Sequence, residues 1–67
     1  MKKQLNRLKV VLAEKNISNK ELAEKIGVGQ VTMSKWVTNT SQPNLEMLIK
    51  ISKALEVSLD NLVRTED

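Results

Sequence analysis

The segment between Ser18 and Gly27 has both of its ends marked by side-chain chemistry, and it predicts one short helix. Ser18 and Glu21 have the spacing of a capping box, in which each side chain accepts a hydrogen bond from the backbone N–H of the other residue. Ile17 and Leu22 flank the cap at the spacing of a hydrophobic staple. Gly27 is expected to end the helix, because glycine readily adopts the left-handed conformation that follows a helix. A helix of about two turns has little stability by itself, so its neighbours must hold it by packing.

Apolar spacing and capping residues predict helices on both sides of this one. Leu5, Leu8 and Leu12 recur at the spacing of an amphipathic first helix. Gly29 is expected to cap a third helix, and Asn44, which follows a proline, a fourth. The inner face of the fourth helix is predicted to contain Leu45, Leu48, Ile49, Ser52 and Leu55.

The pair Val57 and Ser58 repeats the staple-and-cap pattern and predicts a short fifth helix, with Leu62 as the staple partner. No run of residues alternates between apolar and polar as a half-buried strand would. The sequence therefore predicts an all-α fold, a compact five-helix domain. We expect a single domain over residues 1–67, with a folded core over about 4–63.

The amino-acid composition excludes several classes of function. The 67 residues include no cysteine, histidine or tyrosine, so the side chains most used as nucleophiles, general bases and metal ligands are missing. We therefore expect no enzymatic activity, no metal site and no cofactor. An apolar run long enough to cross a membrane is absent, as is an N-terminal signal segment, and the cytoplasm is the expected location.

Charge is distributed unevenly along the chain. The net charge is +3, but residues 1–35 carry eight Lys or Arg and three Glu, a net +5, while residues 36–67 carry a net −2. On the first helix, Lys2, Lys3, Arg7 and Lys9 are either a solvated face or a rim that contacts a partner. A basic half suggests a polyanionic partner, although solvated helices are often rich in lysine as well.

Small residues at two positions predict that the second and third helices cross closely. Ala23 lets the helices approach, and Gly27 permits the turn between them. The inner side of this corner is predicted to contain Leu22, Ala23, Ile26, Gly27, Val28, Met33 and Trp36. Trp36 could instead stack on a base, but its spacing from Met33 favours the core. The other positions of the third helix are left to face outward.

Two stretches together resemble the phage-repressor and Cro-like helix-turn-helix family, also called XRE. The first, from Ile17 to Val28, is ISNKELAEKIGV; the second, from Pro43 to Leu62, is PNLEMLIKISKALEVSLDNL. The resemblance covers about residues 4–63. It implies sequence-specific binding of double-stranded DNA and regulation of transcription, with the third helix lying in the major groove.

The resemblance also assigns roles to individual residues. Base reading would fall to Gln30, Val31, Thr32 and Lys35, and phosphate contacts to Asn19, Ser34, Thr38, Asn39, Thr40 and Ser41. Without that context, polar side chains such as Gln30 and Thr32 would be read as solvated positions. Val31 is more informative, because an exposed β-branched residue lowers helix propensity and gains no burial unless something binds there.

Three features depart from the family pattern. Val37 stands where the family commonly has Glu, and Asn39 where it has Gly; Asn is the next-best residue for a left-handed turn. Thr40 and Ser41 are neutral in a loop that is often basic. Fewer cations release fewer counterions, so DNA binding is expected to be weaker and less steeply dependent on salt.

Partners and the direction of regulation are less constrained by the sequence. Leu59, Leu62 and Val63 are expected to form a homodimer interface, because one small core cannot bury all three. A dimer would place two recognition helices about 34 Å apart. Repression by blocking polymerase is the simplest mechanism, and no small-molecule effector is expected. The alternative is a protein-interaction module, an antitoxin or adaptor, that binds its partner through the fourth and fifth helices.

Overall fold

The computed structural model describes residues 5–63, which form four α-helices and one short 3₁₀ turn. In chain order these are α1 (Leu8–Lys15), α2 (Asn19–Ile26), α3 (Gln30–Val37), α4 (Leu45–Leu55) and a 3₁₀ turn (Leu59–Asn61). The described residues contain no β-strand, although Asn6 and Val63 form an isolated antiparallel bridge. The all-α prediction is confirmed. The five-helix count is wrong, because the last element is one three-residue turn without a side-chain cap at Ser58.

One core is shared by all four helices and the C-terminal turn. Helix α2 packs against α3 and α4, α1 packs against α3, and the 3₁₀ turn packs against α4. The buried apolar side chains are Leu8, Val11, Leu12, Leu22, Ala23, Met33, Trp36, Val37, Ile51, Leu55 and Leu62. The short helices are thus held by mutual burial, as their length requires.

Helix α1 begins later than its apolar spacing predicts. Leu5 lies outside the helix and is exposed, and the first helical residue is Leu8. The reason is the buried Asn6 side chain, whose Oδ1 accepts a hydrogen bond from the Leu8 N–H at 3.0 Å. Asn16 ends the helix in the left-handed conformation with φ 58°. The predicted basic face of this helix includes Lys2 and Lys3, which lie outside the described residues.

The inner face of α4 differs from the predicted one. Asn44 caps the helix as expected, and its Oδ1 accepts from the Met47 N–H at 2.8 Å. Leu45 and Ile49 are exposed, however, while Ile51 is fully buried. Apolar residues occupy two neighbouring stripes of this helix, and apolar spacing alone does not show which stripe faces the core.

Candidate nucleic-acid interface

The two ends of α2 set the geometry of the corner between α2 and α3. The Ser18 Oγ accepts from the Glu21 N–H at 3.1 Å, and the Glu21 carboxylate accepts from the Ser18 N–H at 3.0 Å, which confirms the capping box. At the other end Gly27 has φ 77° and its N–H donates to the Ala23 carbonyl oxygen at 2.9 Å. The Val28 N–H donates to the same oxygen at 3.0 Å. Both ends of α2 are therefore closed by hydrogen bonds.

The inner side of the corner is apolar. Leu22, Ala23, Met33 and Trp36 are buried. Ile26 and Val28 are half-buried and pack against that core. Ala23 lies at the crossing and has no side chain beyond Cβ, so the two helices can approach closely. Packing on this side fixes which face of α3 is turned outward.

The outer face of α3 presents a continuous row of exposed side chains. These are Gln30, Val31, Thr32, Ser34 and Lys35. Val31 is 73% exposed, the largest exposed fraction among the large apolar side chains of the described residues. The row begins at the first residue of α3, directly after its N-cap Gly29. Five of the residues assigned to DNA contacts thus lie on one helix face.

Asn19 is the first residue of α2 and is exposed. Its neighbour Glu21 is engaged in the capping box. The pKa of the Glu21 carboxyl lies below its ordinary value, mainly because the Ser18 backbone N–H donates a hydrogen bond to it. The Ser18 side chain and the charge of Lys25 act in the same direction. The phosphate contact of Asn19 stays a prediction, consistent with its exposed position at this helix end.

The loop after α3 directs its backbone N–H groups inward. The N–H of Thr38 donates to the Ser34 carbonyl oxygen, and those of Thr40 and Ser41 donate to the Lys35 carbonyl oxygen. The Thr38 hydroxyl also donates to the Ser34 carbonyl oxygen, at 2.9 Å. The loop consequently offers side chains rather than backbone amides to an approaching phosphate.

The Asn39 side chain makes several hydrogen bonds within the fold. Its backbone is left-handed, with φ 61°, as its position in place of a glycine predicts. Its Oδ1 accepts from the N–H groups of Leu5 at 2.9 Å and Asn6 at 3.0 Å, and from Nε2 of Gln42 at 3.1 Å. A phosphate contact would come from the donor Nδ2, which donates to the Asn6 carbonyl oxygen at 3.4 Å, and the contact predicted for Asn39 stays a prediction.

Sequence reasoning missed two structural residues beside the site. Asn6 donates from Nδ2 to the Trp36 carbonyl oxygen at 2.9 Å and to Oε1 of Gln42 at 2.8 Å. These partners lie at least 30 residues away along the chain, so no local pattern marks Asn6. Val37 is buried where the family commonly has Glu. Its spacing of four residues from Met33 was a signal that could have placed it in the core.

The predicted dimer residues do not share one environment. Leu62 is only 1% exposed and belongs to the core of the monomer, so of the three residues it has no exposed surface for the predicted dimer contact. Its backbone carbonyl oxygen accepts from the Arg7 N–H at 2.9 Å. Leu59 is 37% exposed, and Val63 is half-buried.

Ligand-binding features of other kinds are few in residues 5–63. No group of acidic residues in this range could hold a metal ion. An open hollow of about 470 Å³ lies between the start of α1 and the end of α3, with Arg7, Lys9 and Val10 on one side and Val37 and Thr38 on the other. None of the described helices is long and apolar enough to cross a membrane.

Known proteins share both the fold and the sequence pattern. Residues 8–62 match the helix-turn-helix family. A crystal structure of a protein from Bacteroides fragilis is 48% identical, with a TM-score of 0.87, over 90% of this chain and 97% of that one. The transcriptional activator BcrR of Enterococcus faecalis is 38% identical over 79% of this chain. The antitoxin HipB of Escherichia coli strain K12 is 35% identical over 81% of it.

The chain spans 26% of the length of BcrR and 61% of the length of HipB. The similarity to these two proteins therefore concerns part of each. The match to the family model runs from the first residue of α1 through all four helices to Leu62. The chain therefore belongs to the helix-turn-helix family, in agreement with its resemblance to the phage-repressor and Cro-like proteins.

Proposed function

We propose that this chain binds double-stranded DNA in a sequence-specific manner and regulates transcription. The observation that carries the proposal is the exposed row on α3, which lies opposite the buried Met33 and Trp36. An α-helix fits the major groove, where each base pair presents a distinct pattern of donors and acceptors. The N-terminal half of α3 enters the groove, as in other helix-turn-helix proteins.

Each side chain of the row contacts a different base or chemical group of the DNA. Gln30 forms a bidentate pair with N6 and N7 of adenine. Val31 and the methyl group of Thr32 pack on thymine methyl groups. Lys35, which is one turn beyond Val31, donates to guanine or to a phosphate. A site rich in A·T pairs beside a G·C pair follows from this set.

Phosphate contacts come from the edges of the corner. Ser34 belongs to the row itself, Asn19 is the first residue of α2, and Thr40 and Ser41 belong to the loop that follows α3. None of these four side chains is cationic. Counterion release sets the salt dependence of DNA binding, so we expect a shallow dependence on salt concentration.

Regulation follows from occupancy of a near-palindromic site by a homodimer. Two copies place two α3 helices about one turn of DNA apart, at about 34 Å. A bound dimer that overlaps a promoter blocks polymerase and represses the gene. The named relative BcrR is an activator, so the direction of regulation needs its own reporter assay, with the site placed over or upstream of a promoter.

Substitutions on α3 test the DNA-binding proposal. The operator is first obtained by selecting bound duplexes from a random pool. We expect Gln30→Ala and Lys35→Ala to weaken binding to the selected site by about 10- to 100-fold each, because a good bidentate contact provides about 1–3 kcal/mol of discrimination. Fluorescence anisotropy of a labelled duplex measures the loss.

Lys50→Ala is the matched control, since Lys50 is an exposed lysine on α4 and removes the same charge as Lys35→Ala. It should change affinity only slightly. If both α3 variants bind the selected site as tightly as the parent chain does, the major-groove role of α3 is wrong. A pool that yields no preferred sequence would contradict specific reading altogether.

The second candidate is a protein-interaction role, supported by the similarity to an antitoxin and by exposed apolar residues on α4. The two functions separate in the same experiment. A protein partner bound through α4 would tolerate Gln30→Ala and Lys35→Ala, whereas DNA binding would not.

A further inference from the structure

We infer that the exposed apolar stripe of α4 is the surface that contacts a second copy of this chain, with the two α4 helices antiparallel. We define this surface, the α4 stripe, as Leu45, Ile49 and Ser52. The inference names the interface of the homodimer in the proposed function and rests on that function for its biological role. The self-association itself is measured without DNA.

The α4 stripe is separate from the part of α4 that faces the core. Leu45 is 66% exposed and Ile49 is 39% exposed, whereas Ile51 and Leu55 are buried on the face of the helix that meets the core. Residues four apart lie one above the other on a helix, so Leu45 and Ile49 form one continuous strip. Neighbouring exposed apolar side chains on a small domain are typical of an interaction surface.

Ser52 makes the stripe suitable for burial. Its hydroxyl donates to the Ile49 carbonyl oxygen of its own helix, at 2.9 Å. The donor is therefore already satisfied when another surface covers it, and covering it does not leave an unpaired hydrogen-bond donor. Ser52 is also half-buried, so it continues the stripe without a protruding polar group.

Charge selects a second copy as the occupant. Glu46 and Lys53 are both exposed and lie seven residues apart, which places them on the same flank of the α4 stripe. In a two-fold contact each residue of one copy meets the symmetry-related surface of the other. An antiparallel pair brings Glu46 of each copy towards Lys53 of its partner, so two oppositely charged pairs form. A parallel two-fold pair would place the Glu46 and Lys53 flanks of the two copies on opposite sides of the contact, so neither pair would form.

The size of the stripe sets the strength of the contact. Helix α4 has 11 residues and is therefore about 16 Å long. A strip of that length buries less than the roughly 1,200–2,000 Å² of a stable standard interface. We expect a dissociation constant between about 10 µM and about 1 mM, so that two adjacent half-sites on DNA complete the association.

A charge exchange tests the antiparallel contact. Glu46→Lys and Lys53→Glu should each weaken dimerisation about tenfold in sedimentation equilibrium, because each replaces two attractions with two repulsions. The double variant should restore the parent dissociation constant, since the pairs re-form with the signs exchanged. Glu24→Lys on α2 is the control for added charge and should leave dimerisation unchanged. A double variant that associates no better than the single ones overturns the antiparallel pairing.

A cysteine variant tests proximity directly. The chain has no native cysteine, so Ile49→Cys introduces a single thiol near the two-fold axis. A short bifunctional thiol reagent should link it into a covalent dimer at concentrations where Glu24→Cys stays monomeric. The inference is wrong if the parent chain stays monomeric up to about 1 mM. It is also wrong if Leu59→Asp abolishes dimerisation and Leu45→Lys leaves dimerisation unchanged.

Binding to a single half-site separates this inference from the proposed function. The charge-exchanged double variant keeps the net charge and leaves α3 untouched, so it should bind one half-site as the parent does. If the chain binds a single half-site but forms no dimer in sedimentation equilibrium, the α4 contact is wrong and the proposed DNA binding is not. A dimer that binds no DNA would support the contact and contradict the proposed function.

Discussion

At the scale of single residues, the positions that depart from the family pattern have structural reasons. Asn39 combines a left-handed backbone with an oxygen that accepts three hydrogen bonds, which the glycine common in the family could not supply. Val37 is buried in the core, where an unpaired carboxylate would be costly. Both substitutions strengthen the fold around α3 without adding charge to the proposed DNA surface.

Val31 is the residue at which stability and function should oppose each other. Alanine has a higher helix propensity than valine, and Val31 loses almost no burial when it is shortened. We expect Val31→Ala to raise the free energy of unfolding by about 0.5 kcal/mol and to weaken binding to the selected DNA. Urea unfolding followed by Trp36 fluorescence measures the first change, and anisotropy with labelled duplex measures the second.

Thr38→Ala on the same side of the molecule is a useful comparison, because it removes a hydroxyl that donates to the Ser34 carbonyl oxygen. It should lower stability instead. Should Val31→Ala prove less stable than the parent chain, Val31 would be packing against something within the monomer, and its assignment as a reader of thymine methyl groups would fail.

At the scale of helices, sequence prediction was most accurate where the determining chemistry is local. Ser18, Glu21 and Gly27 mark both ends of α2, and the structure has the helix between them. The start of α1 was misplaced because Asn6 is held by the Trp36 carbonyl oxygen and by Gln42, far along the chain. The exposed row on α3 could also be predicted from the sequence, because the buried residues of α2 and α3 determine which face of α3 is turned outward.

Acidic pH should weaken α2 through its capping box. The folded-state pKa of Glu21 is lowered from its ordinary value of 4.5 by the hydrogen bond from Ser18, so the ionised form stabilises the folded state. That contribution is fully present above about pH 4.5 and is lost as the pH falls through the lower folded-state value. Glu21→Gln should therefore be less stable than the parent chain at pH 7, and the difference should shrink below pH 4.

Chemical unfolding at several pH values measures this difference. Glu24→Gln is the matched control, because Glu24 is exposed on the same helix and removes the same charge. If the deficit of Glu21→Gln is as large at pH 3 as at pH 7, ionisation of the Glu21 carboxyl is not what stabilises the cap.

At the scale of the whole molecule, the segment before α1 connects parts of the chain that are distant in sequence. Leu5 and Asn6 bond to Asn39 in the loop after α3, while the Arg7 N–H and guanidinium donate to the carbonyl oxygens of Leu62 and Asn61. This segment therefore lies between the loop that borders the proposed DNA surface and the C-terminal turn. These bonds act together with the apolar core that the four helices and the C-terminal turn share.

Asn6 is the residue on which this connection depends. It is buried, and all of its polar atoms are paired: Nδ2 donates to the Trp36 carbonyl oxygen and to Gln42, and Oδ1 accepts from Leu8. Asn6→Ala would leave these three partners unsatisfied, and we expect a loss of about 2–4 kcal/mol, much of the stability of so small a domain. Gln42→Ala is the control: it removes one of these partners from an exposed position and should cost less than about 1 kcal/mol. The fluorescence of Trp36, the only aromatic residue of the chain, measures the unfolding of each variant. Equal losses of unfolding free energy in the two variants would show that the segment before α1 does not hold the ends of the domain together.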